Sequence, residues 1–155
     1  MSQIKITLSS KAITADIQAM AAMRNYMNGG ATPLLTDDHT DALNIAVGDA
    51  FLMTLMRLAS YVTAHGMSPE DYHETGQADL MMSAELTTSA RLPDTTVPLL
   101  RRQAEHAVAC RALAALAADT AAAAEYRAAA DAATETVRDL LDATDSPIAR
   151  ILPSR

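Results

Sequence analysis

Apolar and polar residues alternate at the start of the chain. Ile4, Ile6 and Leu8 point one way; Gln3, Lys5 and Thr7 point the other. That period of two predicts a half-buried strand over residues 3–8. From Ser10 the period lengthens, and Ile13, Ile17, Met20 and Met27 share one face of a helix predicted from Ser10 to Met27. Ser9 stands at its N-cap, with Leu8 and Ile13 at the spacing of a hydrophobic staple. Asn28-Gly29-Gly30 stops it, since glycine takes the left-handed cap conformation without a steric cost.

Residues 29–36 read as a loop holding Pro33, and Thr36-Asp37-Asp38 then supplies capping oxygens and negative charge for a second helix. The pattern predicts that helix from Asp38 to Ala64, roughly 40 Å long at 1.5 Å per residue. Phe51, Leu52, Met53, Leu55, Met56 and Leu58 make its middle apolar nearly all round. Such a helix packs on more than one side and is expected at the centre of the domain. Gly48 within it reads either as a point of close backbone approach or as a tolerated helix glycine. His65-Gly66 ends the pattern, and Ser68-Pro69-Glu70-Asp71 predicts a short helix from Pro69 to Glu74.

Alternation returns over residues 79–92. Leu80, Met82, Ala84, Leu86, Thr88, Ala90 and Leu92 lie on one face and mostly polar residues on the other. This segment predicts a second strand, whose natural partner in the chain is the 3–8 segment. A lone two-stranded pair is weak unless it packs on helices or on another subunit. Leu92-Pro93-Asp94 closes the strand, and Pro98 fits the first turn of a helix running to Ala118. Leu99, His106, Cys110, Leu113 and Ala117 are expected near its buried stripe. Asp119-Thr120 marks a break. The last helix is predicted from Ala121 to Ala143, with Tyr126, Ala130, Ala133, Val137, Leu140 and Leu141 facing inward. A C-terminal tail, residues 144–155, carries Ile148, Ile151 and Leu152 between prolines and is expected to fold back or to dock on a neighbour. The fold class is mainly α: a bundle of about four helices with a long central helix and a small β arm or two-stranded ribbon. No repeat or long linker divides residues 1–155, so a single domain is expected.

Composition narrows this picture. Half of the 155 residues are hydrophobic, yet the aromatics are one Phe and four Tyr. The core is therefore aliphatic and alanine-rich, and the nine Met are expected as gap fillers within it. No apolar run is long enough for a membrane span, and the alternating N-terminus does not read as a signal peptide. The chain is expected in the cytoplasm. A net charge of −7, with Lys5 and Lys11 as the only lysines, speaks against nucleic-acid backbones and anionic membranes. Arg101-Arg102 is the densest basic pair and reads as solvated surface.

Candidate chemistry is sparse. Glu70-x-x-His73 has the spacing of a di-iron carboxylate motif but no second copy. Asp37, Asp38, His39 and Asp41 suit a hard cation, although helix capping asks for the same residues. His106 and Cys110 are one helical turn apart among Ala, Val and Leu, which reads as a buried thiol beside a half-buried imidazole. The single cysteine excludes an internal disulfide. Neither a nucleophile elbow nor a phosphate loop is present. The expectation is a non-enzymatic protein without cofactor, metal or small-molecule substrate.

The order of elements carries one resemblance. A strand and helix lead to a long helix opened by Thr36-Asp37-Asp38, followed by an extended segment ending in Leu92-Pro93. Two Ala-rich helices follow, with Glu125-Tyr126 early in the last and Val137-Arg138-Asp139-Leu140-Leu141 near its end. In this the chain resembles the small helical head–tail connector, or adaptor, proteins of tailed phages and of prophages in gut Bacteroidales. The resemblance implies a structural protein that forms rings with copies of itself and contacts neighbouring virion proteins. It assigns Leu80, Met82, Leu86, Leu92, Ile148, Ile151 and Leu152 to an oligomer interface. The alternative is a monomeric or dimeric helical bundle that binds a protein partner as an adaptor or regulator.

Overall fold

The structure is a computed structural model and describes residues 2–27, 29, 40–69, 80–89, 91–117 and 119–143. In chain order the elements are β1 (Ser2–Ser9), α1 (Ser10–Met27), α2 (Thr40–Arg57), β2 (Val62–Pro69), β3 (Leu80–Thr88), α3 (Thr96–Leu116) and α4 (Thr120–Asp142). The fold is mainly helical, with one small antiparallel sheet.

The sheet is ordered β1-β3-β2, with β3 in the middle. Ile4 pairs with Leu86, Ile6 with Ala84 and Leu8 with Met82. The even-numbered side chains thus share one face, and Ile6, Leu8, Met82, Ala84 and Leu86 are buried against the helices. On the other face Lys5 stands opposite Glu85, a cross-strand pair of opposite charge. The ribbon expected from the sequence gains a third strand, because β2 occupies residues that the apolar pattern assigns to the end of the second helix. That helix stops at Arg57. Leu58, 1% exposed, anchors a turn in which the Tyr61 amide donates to the Leu58 carbonyl at 2.8 Å. The next residues, Tyr61-Val62-Thr63, are aromatic and β-branched and favour the sheet. The expected helix from Pro69 does not begin there, since Pro69 ends β2. Residues 70–74 of that expectation lie outside the described residues.

The central helix is α3, not α2. All eight residues from Ala107 to Ala114 are buried, so every side of α3 is covered along that stretch. It packs on α4, α2, α1 and β1. Five of the eight are alanine or cysteine, and small side chains let neighbouring helices come close. The stripe expected at its start is displaced by one position: Leu100 is in the core and Leu99 is 43% exposed.

Caps fix both ends of α1 and the start of α4. Ser9 Oγ accepts from the Ala12 amide at 3.4 Å, and Ser10 Oγ accepts from the Leu80 amide at 2.9 Å, tying the start of β3 to α1. Gly29, at φ 67°, donates its amide to the Tyr26 carbonyl and closes α1. Asp119 caps α4 by accepting from the Ala121 and Ala122 amides at 3.1 and 3.3 Å. In α4 the expected inward residues Ala130, Ala133, Val137, Leu140 and Leu141 are buried, and Tyr126 is half-buried.

Candidate interaction surface

The outward side of α2 is an extended exposed apolar surface among the described residues. Its inner side is set by Leu43, Val47, Ala50, Phe51 and Leu55, all buried. Its exposed positions among the described residues are Ala42, Ile45, Asp49, Leu52, Met53, Met56 and Arg57. Ile45 is 67% exposed, Leu52 37%, Met53 51% and Met56 76%. The helix is therefore apolar all round, as its sequence predicts, but its own fold covers it on one side only. Met67 on β2 lies beside this helix, its Sδ 4.0 Å from where a Cβ on Gly48 would sit, an ordinary contact. Gly48 is thus not required by a close approach of any described residue. A second exposed apolar group, Met23, Tyr26 and Met27, lies in the last two turns of α1.

The methionines correct the sequence expectation. Met82 is fully buried, but Met23, Met27, Met53, Met56 and Met67 are all more than 40% exposed. Flexible, polarizable side chains on a surface suit adaptable contacts better than core filling.

The interface residues expected from the sequence are placed differently. Met82 and Leu86 are 0% exposed and Leu92 is 8% exposed, all buried within this chain. Leu80 is half-buried against the same core. The alternation that marks these residues reports the packing of β3 on its own helices, so they offer no outward surface. Ile148, Ile151 and Leu152, with the rest of the tail, lie outside the described residues. Ile45, Leu52, Met53 and Met56 had a signal in the sequence, the all-round apolar run, which the central-helix reading assigned to burial.

Both sheet edges are guarded. The pairing of β2 with β3 shifts between Val62 and Ala64, and the strand ends in Pro69; either feature discourages pairing with a further strand. On β1 the outward Lys5 has the same effect.

Two polar centres lie deeper. Cys110 Sγ is 3.6 Å from His106 Nε2 and 4.0 Å from Nδ1. The thiol is 1% exposed, and burial first, then the negative charge of Asp16, pushes its pKa above the ordinary 9.0. It is held as a neutral thiol, whereas a nucleophile needs the thiolate. In the second centre, Arg111 on α3 is 7% exposed and donates from Nη2 to Asp131 Oδ1 at 3.3 Å and to Thr134 Oγ1 at 3.4 Å. Arg57 reaches the same Asp131 oxygen at 3.5 Å. One α4 carboxylate thus holds guanidinium groups from α2 and α3. Arg111 Nε is without a hydrogen-bond partner among the described residues.

A shallow cleft of about 210 Å³ lies between β1 and the start of α3, lined by Lys5, Ile6, Thr7, Val97, Pro98 and Arg101. It is smaller than ordinary ligand pockets, which begin near ~300 Å³. Among the described residues no group of three or more His, Cys, Asp or Glu is placed to hold a metal, and no helix is long and apolar enough to cross a membrane. The metal candidates Asp37, Asp38, His39, Glu70 and His73 lie outside the described residues. No family model, no curated protein and no solved structure matches the chain.

Proposed function

We propose that this chain is a non-enzymatic structural protein that acts by assembling with copies of itself and with neighbouring proteins. One observation carries the reading: α2 is apolar on both sides and its own fold covers one of them. Exposed apolar surface costs solubility unless something binds it. The polar centres support the same reading, because the thiol is buried and neutral and the buried Arg111 is committed to joining α3 to α4. The specific assignment is a head–tail connector or related neck component of a phage or prophage. It rests on the order of elements and on the Ala-rich hairpin of α3 and α4.

The test is reconstitution. The gene neighbourhood is searched for portal and capsid genes, and the chain is co-expressed with their products. A stable complex with the portal or tail protein supports the connector assignment. No such neighbours, together with a single unrelated partner in a pull-down, supports an adaptor or regulator instead.

A further inference from the structure

We propose that the outward face of α2 seats the same face of a second copy of this chain, as a two-fold pair of antiparallel helices centred on Met53. This rests on the reading of the chain as an assembling protein and names the surface that does it. The face is built from rows four residues apart, the ridges by which helices interlock. One row is Ile45-Asp49-Met53-Arg57, and the next runs from Gly48 through Leu52 to Met56. Its two charges among the described side chains, Asp49 and Arg57, lie at equal distances before and after Met53. Turning a second helix about a two-fold axis at Met53 brings Asp49 of each copy opposite Arg57 of the other. A like-charged row would repel itself in this arrangement; this one is complementary to itself.

Arg57 has donors to spare for the contact. Its link to Asp131 is a single 3.5 Å approach, and its side chain is 55% exposed. Between the two charge pairs lie Leu52, Met53 and Met56, whose long side chains fill irregular gaps. The exposed apolar side chains within the overlap of the two helices, Leu52, Met53 and Met56, are 37%, 51% and 76% exposed and become covered in the pair, whereas Ile45 lies beyond it, opposite the turn that follows Arg57. The guarded sheet edges offer a second copy no comparable surface. A two-fold contact closes at two copies, so any larger assembly of this chain uses other surfaces.

Two cysteine variants of the full chain test this geometry. Cys110 is buried and does not compete. In Met53→Cys the two thiols meet at the axis. In Ile45→Cys they lie about 24 Å apart along the paired helices, far beyond the ~7 Å Cα separation that a disulfide spans. Mild oxidation is expected to cross-link Met53→Cys at least tenfold faster than Ile45→Cys. Equal rates overturn the two-fold arrangement. Met56→Glu is expected to weaken association at least tenfold while leaving the far-UV spectrum and melting curve unchanged; unaltered association overturns the use of this face. A chain that stays monomeric but binds its neighbours overturns the self-contact and leaves the assembly reading in place.

Discussion

Arg138 on α4 donates from Nη2 to the backbone carbonyl of Arg57, the last residue of α2. A cation thus sits at the end of a helix where unpaired carbonyls gather. At the same junction the Tyr61 hydroxyl donates to Asp142 Oδ2 at 2.7 Å and the Ser89 amide to the Leu141 carbonyl at 3.1 Å. The last turn of α4 therefore joins the end of α2 to the beginning of β2 and the end of β3. Removing the guanidinium by Arg138→Met, which keeps much of the aliphatic stem, is expected to cost about 1 kcal/mol. Urea unfolding checks this.

The Arg111–Asp131–Arg57 cluster makes an asymmetric prediction. Asp131→Ala leaves the buried Arg111 guanidinium without its carboxylate and is expected to cost about 2 kcal/mol, below the full cost of a buried pair because Asp131 is 48% exposed. Arg111→Met removes the buried charge itself, together with an Nε that has no partner among the described residues, and is expected to change stability by less than about 1 kcal/mol in either direction. Urea unfolding of the two variants at pH 7 compares them. A larger loss in Arg111→Met than in Asp131→Ala would contradict this account of the cluster.

Two groups set the alkaline limit. The Tyr61 pKa is raised from 10.0, first by its hydrogen bond to Asp142 and then by burial, and that of Cys110 is raised from 9.0 by burial. A folded-state pKa above the unfolded value gives stability that is present below the unfolded value and is lost as pH rises through the folded one. Stability is therefore expected to hold to about pH 9 and then fall in unfolding experiments from pH 7 to 11. Cys110→Ala is expected to flatten the first part of the fall and Tyr61→Phe the second. The same burial makes Cys110 slow towards a thiol reagent in the folded protein and fast in denaturant.

Paired truncations separate core from surface. Leu86→Ala is expected to cost about 2–5 kcal/mol, the range for a large aliphatic side chain in a packed core. Met56→Ala is expected to change the stability of the isolated monomer by less than about 0.5 kcal/mol, since its side chain is exposed. Unfolding at a concentration where the chain is monomeric compares them.

Much of the fold was legible because its signals are local. Ser9, Leu8 and Ile13 mark the start of α1, Gly29 its end, and Asp119-Thr120 the break before α4; each is a short-range preference that the structure satisfies. The inward register of β3 was legible from its alternation. The end of α2 was not, because Leu58 continues the apolar pattern whether the chain goes on as helix or turns, and a tertiary sheet decides between them. The central place of α3 was hidden by its alanines, which carry little pattern and are buried here by the neighbours they admit. The candidate site was legible only in part. The sequence showed α2 apolar on every side, but which side the fold leaves open depends on how the helices pack.

Sedimentation equilibrium of the wild-type chain, from about 1 μM to 1 mM, tests the central claim most directly, because a contact confined to the few overlapping turns around Met53 is small and is expected to be weak and reversible. The account predicts a mass that rises with concentration from 16.4 kDa towards twice that value, and a Met56→Glu variant that stays near 16.4 kDa throughout. A wild-type mass fixed at 16.4 kDa over the whole range would contradict it.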